Sequence, residues 1–111
     1  MYVHVTVLAN TAQLTEDLGA YVAQAGQVCL AAETCALLEV ANEPYHDSQR
    51  ADVHEPATLE RWARAVPADV LVALGTAADD ESDSHAAGAV VTVHLDRSRD
   101  AFNQFRRVRE L

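Results

Sequence analysis

Short apolar segments rich in Val, Leu and Ala alternate with helical segments along the chain, and this order restricts the folds open to it. Strands are predicted at residues 2–8, 36–41, 70–74 and 89–95. The run at 36–41 is almost continuously apolar, which is typical of a strand covered on both faces. Strands that alternate with helices favour a parallel sheet with right-handed crossovers. The sequence therefore predicts an α/β domain.

The first predicted helix follows the first strand. Its apolar stripe starts at Leu14 and repeats at helical spacing. Thr11 or Thr15 could cap its start. Gly26 either ends the helix or lies within a longer helix that reaches about Leu30.

Two more helices are predicted further along the chain. The second helix has Pro56 in its first turn, where proline is accepted, and it cannot continue through Pro67. Trp62 belongs to its apolar stripe and is expected to pack in the core. Asp100 could cap the last helix. Residues 75–88 read as a solvated acidic loop, which gives the order β-α-β-α-β-β-α.

Length and charge exclude several classes of function. The chain has 111 residues, half of them hydrophobic, which suits one domain spanning residues 1–111. Its formal net charge is −9, which disfavours nucleic-acid binding because phosphate backbones would be repelled. No stretch approaches the roughly 20 apolar residues that span a bilayer, so no membrane association is predicted. The compartment is left open.

Cysteine and acidic residues give no sign of a metal site. The spacing of Cys29 and Cys35 matches neither the Cys-x-x-Cys of redox sites nor a structural zinc site. Two buried thiols or a disulfide are both compatible with it. Acidic residues and histidines at 46–55 and 79–83 have no recognised ligand spacing, so neither a metal nor another cofactor is predicted.

The segment that carries chemistry is the end of the second predicted strand, where Asn42, Glu43 and Pro44 follow the apolar run. This ending resembles the fourth strand of clan A glycoside hydrolases, the large barrel class that includes cellulases and mannanases. By that resemblance Glu43 is the catalytic acid/base and Asn42 binds the 2-hydroxyl group of the sugar. His94 ends the strand two further on and matches a substrate-binding histidine at the end of the family's sixth strand.

The resemblance implies a parallel (β/α) barrel segment, a partial TIM barrel covering strands 3 to 6, because a complete barrel takes about 250 residues. His46 follows Pro44 by two residues and is a further substrate-binding candidate. Glu39 lies four residues before Glu43, so on a strand it shares the side of Glu43 and lies one layer deeper below the strand end. A structural rather than a catalytic role is expected for its carboxylate. Retaining glycosidases need a second carboxylate about 5 to 5.5 Å from the first, and in the family it belongs to the seventh strand.

Three hypotheses follow. The first is a segment of a retaining glycosidase-like barrel that acts on β-linked saccharides and is inactive until another chain or the remainder of a barrel supplies the nucleophile. The second is a non-enzymatic module that binds a saccharide or has a structural role in a larger assembly. The third is a small open-sheet domain whose likeness to the family is accidental. Self-association is expected if sheet edges stay uncovered.

Overall fold

A computed structural model describes residues 1–75 together with residues 90 and 92. Within these residues the chain forms three strands and two helices that alternate as predicted. Their bounds are β1 Val3–Leu8, α1 Leu18–Ala31, β2 Cys35–Ala41, α2 Pro56–Ala63 and β3 Val72–Ala73. The predicted strand at 89–95 and the helix after Asp100 lie outside the described residues, apart from positions 90 and 92.

The three strands form one parallel sheet in the order β1-β2-β3. Thr6 pairs with Glu39, and Glu39 pairs with Ala73. Paired residues on neighbouring strands face the same side, and successive residues face opposite sides. Both helices contact β2 and each other, so they cover the same face of the sheet, and Leu38 of that face is fully buried.

The core lies between this face and the two helices. Burying a large aliphatic side chain completely stabilises the fold by about 1.5–3 kcal/mol. The central strand therefore supplies much of the stability, since four consecutive residues from Leu38 to Ala41 are buried. The core consists of Leu8, Leu18, Val22, Cys29, Leu38, Val40, Ala41, Val53, Leu59, Trp62, Val66 and Leu74.

Helix α1 begins later and ends later than its apolar stripe suggests. Asp17 is the N-cap, and its Oδ1 accepts a hydrogen bond of 3.0 Å from the backbone N–H of Ala20. The prediction that Thr11 or Thr15 caps this helix is therefore wrong. Gly26 is buried within the helix, which confirms the longer of the two predicted helices.

Helix α2 starts at Pro56, as predicted, because proline brings a suitable φ to the first turn and has no N–H to leave unpaired. It ends at Ala63, before the last residue of its predicted stripe, yet Val66 is still buried in a following turn. Trp62 is buried against the core, which confirms its packing role. No helix in the described part of the chain is long and apolar enough to cross a membrane.

The prediction of a partial (β/α) barrel is wrong. The described residues form a small three-stranded parallel sheet with two helices, and they do not show a barrel segment. Strands of a filled barrel are covered on both faces, whereas Val3, His4 and Thr6 of β1 are exposed. The alternation of strands and helices is common to barrels and open sheets, so it could not reveal this difference.

Candidate functional site

The candidate site lies at the carboxyl edge of the sheet, where β1 and β2 end. Asn42 and Glu43 follow β2 directly, and both are half-buried. The backbone N–H of Asn42 donates a hydrogen bond of 2.8 Å to the carbonyl of Leu8, which extends the pairing of the two strands by one step. In open parallel sheets, ligands bind outside the carboxyl ends of the strands, so the structure places these two residues where such a ligand would lie.

Glu43 has a backbone conformation that is rare for its residue type. Its φ is 43°, the only positive value at a non-glycine position among the described residues. The following residue, Pro44, disfavours helical conformations at the position before it. A non-glycine residue in the left-handed region costs about 1–3 kcal/mol, so the surrounding structure must hold Glu43 in place.

One such restraint is the tight packing of the ends of β2 and β3. Pro44 is fully buried, and Gly75 lies against it with a φ of 130°. A Cβ at position 75 would lie 2.3 Å from the carbonyl oxygen of Ala41 and 3.1 Å from Cδ of Pro44. Only glycine allows this close approach, which fixes Pro44 and with it the backbone of Glu43.

A second restraint is a buried hydrogen-bond network around Gln49. Its amide nitrogen donates to the carbonyls of Asn42 at 2.5 Å and Leu8 at 3.3 Å, and its carbonyl accepts from the hydroxyl of Thr11 at 2.8 Å. The Thr11 hydroxyl in turn accepts from the backbone N–H of Arg50 at 2.8 Å. The loops that follow β1 and β2 are thereby joined into one polar framework under the candidate site.

Sequence reasoning missed this framework. Gln49 lies in a polar segment of the sequence, yet it is 4% exposed, and Thr11, one of the two residues that could cap the first helix, is 1% exposed. Thr11 and Ala12 also donate backbone hydrogen bonds of 2.9 Å to the carbonyl of Ser48. Apart from Asn42, which is 7 positions from Gln49, the partners in this framework are 36 to 41 positions apart, so no local pattern could have revealed them.

Arg50 ties the same framework to the start of α1. Its guanidinium donates to both carboxylate oxygens of Asp52, at 2.7 and 2.6 Å, and to the carbonyls of Leu14 and Glu16, at 3.3 and 2.9 Å. The hydrogen bonds from Arg50 lower the pKa of the Asp52 carboxyl below its usual value, although burial acts in the opposite direction. The pair is thus an ion pair at neutral pH.

His46 lies on the loop that leaves the candidate site. Its backbone N–H donates 2.9 Å to the carbonyl of Glu43, and its exposed ring contacts Ser48. Nδ1 accepts from the Ser48 N–H at 3.1 Å and lies 2.9 Å from the Ser48 hydroxyl. The neutral ring therefore carries its proton on Nε2. The other predicted substrate-binding histidine, His94, lies outside the described residues.

Glu39 is buried deeper, on the sheet face opposite the helices. The hydroxyls of Thr6, at 2.9 Å, and Thr92 donate to its carboxylate, and Nε2 of His4 lies 3.5 Å from it. A strand rises about 3.3 Å per residue, so Glu39 lies roughly 10 Å before the strand position of Asn42. Glu39 therefore lies below the carboxyl edge, with its carboxylate held by the hydroxyls of two threonines.

A metal site is not apparent in residues 1–75 or at positions 90 and 92, where no group of three or more His, Cys, Asp or Glu side chains could hold a metal ion. The polar side chains at the carboxyl edge can form hydrogen bonds and transfer protons. These side chains are the amide of Asn42, the carboxyl of Glu43 and the imidazole of His46.

Comparisons with known proteins give no match: none is found among protein-family models, curated proteins or solved structures. The resemblance to clan A glycoside hydrolases therefore depends only on the residues quoted for it, Asn42, Glu43, Pro44 and His94.

Proposed function

We propose that the carboxyl edge of β1 and β2 binds a saccharide through Asn42 and Glu43. The observation that carries the proposal is the left-handed backbone of Glu43 at the end of the central strand. Residues in sparsely populated backbone conformations cluster at ligand sites, where the surrounding structure holds them in place despite the strain. The restraints from Gly75 and Gln49 supply what such a site needs, which is a fixed backbone at the ligand.

The residue types suit a polyhydroxylated ligand. An amide such as that of Asn42 both donates and accepts, so it can pair with two neighbouring hydroxyl groups, whereas the Glu43 carboxylate accepts from hydroxyls. The Nε2–H of His46 is an additional donor on the adjoining loop. The net charge of −9 disfavours anionic sugars, so we expect a neutral saccharide.

Binding can be tested by NMR titration of the protein with neutral gluco- and manno-oligosaccharides. A hydrogen bond to a charged group contributes about 1.5–3 kcal/mol, so Glu43→Gln should weaken binding about tenfold or more. A hydrogen bond between neutral groups contributes about 0.5–1.5 kcal/mol, so Asn42→Ala should weaken binding about two- to tenfold. Asp47→Asn is the matched control, since it neutralises an exposed carboxylate on the same loop, and it should retain affinity. Saccharides that leave the resonances of residues 42 and 43 unshifted would contradict the proposal.

A second candidate function is hydrolysis, with Glu43 as the acid/base of a retaining glycosidase. The strand-end position of Asn42 and Glu43 favours it, because the family resemblance places its acid/base there. Glu39 is 1% exposed and accepts hydrogen bonds from Thr6 and Thr92, which suits a structural carboxylate, so the nucleophile would have to be a different carboxylate. Hydrolysis therefore needs more than the carboxyl edge alone.

Assays with aryl β-glycosides separate the two candidates. A hydrolase should lose nearly all turnover in Glu43→Gln on substrates with poor leaving groups, because these depend on general-acid catalysis. A binding protein shows saccharide-dependent NMR shifts and no turnover even before substitution. Turnover that survives Glu43→Gln unchanged would exclude Glu43 as the acid/base.

A further inference from the structure

A polar cluster lies on the sheet face opposite the helices, below the carboxyl edge. At its centre is Glu39, whose side chain is 1% exposed, and beside it on β1 is His4, whose side chain is 44% exposed. Nε2 of His4 lies 3.5 Å from Oε2 of Glu39. Thr6, the pairing partner of Glu39, donates to the same oxygen at 2.9 Å, and Thr92 donates to the other oxygen. A buried carboxylate is thus held beside a solvent-exposed imidazole.

This arrangement determines which nitrogen of His4 can react. A neutral imidazole has one N–H and one nitrogen with a free lone pair. A carboxylate beside Nε2 favours the proton there, because the partner of one ring nitrogen sets the tautomer. The lone pair is then on Nδ1, which is the nucleophilic atom. In His46, by contrast, Nδ1 accepts a hydrogen bond from the Ser48 N–H.

The carboxylate also stabilises the charge that develops when the ring attacks. As Nδ1 forms a bond to an electrophilic carbon, the imidazole becomes positively charged while Nε2 keeps its proton. The attraction between His4 and Glu39 is then that of an ion pair, and a contact of 3.5 Å can shorten in the transition state. An interaction that is stronger in the transition state than in the ground state accelerates the reaction.

The surroundings of His4 suit an uncharged, apolar substrate. His4 pairs with Leu37, which is half-buried. Leu71 follows on the next strand, since Val72 pairs with Leu38, and its side chain is exposed. The net charge of −9 disfavours anionic electrophiles such as phosphoryl donors. A neutral ester with an aliphatic acyl chain fits both the nucleophile and its apolar neighbours.

We propose that His4 and Glu39 form an acyl-transfer site for neutral carboxylic esters, with His4 as the nucleophile and Glu39 as its positioning residue. Nδ1 attacks the carbonyl carbon, the carbon–oxygen bond of the ester breaks, and the leaving alkoxide takes a proton from solvent. Nε2 of the acyl-imidazolium returns one proton to solvent. Water then attacks the acyl carbon, the carbon–nitrogen bond breaks, and the acid leaves as neutral His4 is restored. This inference does not depend on the proposed function.

Diethyl pyrocarbonate, which acylates the free nitrogen of histidine, tests the nucleophile. The folded chain is treated briefly, and peptide mass spectrometry follows acylation at each residue. His4 should react about fivefold faster than His46 of the same molecule. In the urea-denatured chain the two should react at similar rates, because the contact with Glu39 is lost. Similar rates in the folded chain would overturn the proposal.

Glu39→Gln tests the positioning role. Glutamine keeps the size of the side chain but removes the charge, so His4 should be acylated about fivefold more slowly, while the rate at His46 stays constant. A loss of folding would change both rates, and the measurement on the unsubstituted chain stands without this variant. Glu33→Gln, an equal charge change at an exposed position, should leave the ratio of the two rates unaltered. An unchanged His4 rate in a folded Glu39→Gln would exclude Glu39 from the site.

Turnover of p-nitrophenyl esters tests the substrate class. Release of p-nitrophenolate from the acetate and the hexanoate is compared, with free imidazole as the reference. The hexanoate should have a kcat/KM at least about fourfold higher, the effect of burying one methylene group, whereas imidazole should show no such preference. His4→Gln should lose this turnover. Equal turnover with and without His4, or no preference for the longer acyl chain, would contradict the proposed site.

Discussion

Glu43 combines a functional side chain with an unfavourable backbone, and these two properties can be separated by substitution. Glycine adopts a φ of 43° without the steric strain that this conformation causes at Glu43. It also loses more conformational freedom on folding, by about 0.5–1 kcal/mol, which offsets part of the gain. The strain of about 1–3 kcal/mol is the larger of the two effects.

We therefore expect Glu43→Gly to be more stable than Glu43→Gln by about 1 kcal/mol, as measured by urea denaturation. The comparison with glutamine cancels the effect of removing the charge. Both variants should lose saccharide affinity, because neither has a carboxylate. If Glu43→Gly is no more stable than Glu43→Gln, the backbone of Glu43 is not strained.

The Arg50–Asp52 pair makes stability depend on pH. The folded-state pKa of Asp52 lies below its ordinary value of 3.8. The pair therefore stabilises the fold above that value, and this contribution is lost as the pH falls through the folded-state pKa. Near neutral pH the free energy of unfolding should be higher for the unsubstituted chain than for Asp52→Asn. This difference should shrink below about pH 4.

Urea denaturation at several pH values measures this difference. Arg50→Met and the double variant complete a mutant cycle, and the coupling energy between the two residues should vanish over the same pH range. Asp52 is partly exposed, so solvent screening keeps the effect small. A difference that stays constant down to about pH 3 would exclude the pair as its source.

At the scale of single residues, the sequence predicts the location of the candidate site but not its support. An apolar run that ends in Asn42 and Glu43 is a local pattern, and the structure places both at the carboxyl edge of the sheet as expected. Gln49 and Thr11 became buried through partners far away along the chain. Local polarity alone cannot distinguish such residues from solvated ones.

Among the elements, the close approach of α1 and α2 depends on Gly19. A Cβ at this position would lie 2.5 Å from Nε1 and 2.6 Å from Cδ1 of Trp62. Trp62 is itself buried in the core, so the indole has little room to move. Contact between the helices therefore requires a residue that is otherwise unfavourable within a helix.

We expect Gly19→Ala to destabilise the fold by about 1 kcal/mol. Alanine gains about 1 kcal/mol of helix propensity, but displacing Trp62 costs about 1–3 kcal/mol. Urea denaturation measures the loss, and a shift of the Trp62 fluorescence should accompany it. Gln24→Ala, at an exposed position of the same helix, is the control and should not destabilise. A gain in stability for Gly19→Ala would show that propensity outweighs the clash.

The start of a helix was predictable from the sequence where local signals agree. It was uncertain where several residues could serve as the N-cap. Pro56 marks the start of α2 because its φ and missing N–H suit that position. The start of α1 was misplaced because three residues near it can cap a helix. Only the tertiary structure selects Asp17, whose carboxylate bonds Ala20, while Thr11 is bonded to Gln49 instead.

For the whole molecule, the barrel prediction failed because it extended a local resemblance to global architecture. Parallel strands joined through helices look alike in a barrel and in an open sheet. Barrel closure depends on strand number, tilt and stagger. A motif of three residues after β2 determines none of these properties. The exposure of β1 distinguishes the two architectures, and it follows from long-range packing.

That exposure also bears on self-association. Within the described residues β1 pairs only with β2, and its six residues include no lysine, arginine, aspartate or glutamate. Natural sheet edges often carry a lysine or proline that prevents pairing with another chain. The net charge of −9 provides another barrier, because two copies repel each other.

We expect the chain to associate weakly through β1 and more strongly as salt rises. Raising ionic strength from about 0.01 to 1 M shortens the Debye length from roughly 30 to 3 Å. This removes the repulsion, so that the edge of β1 left unpaired among the described residues can pair with a second copy. Sedimentation velocity measures the effect. Val3→Lys on β1 should abolish association at high salt, whereas Gln27→Lys, an equal charge change on exposed α1, should not. A monomer at every salt concentration would exclude association through this strand.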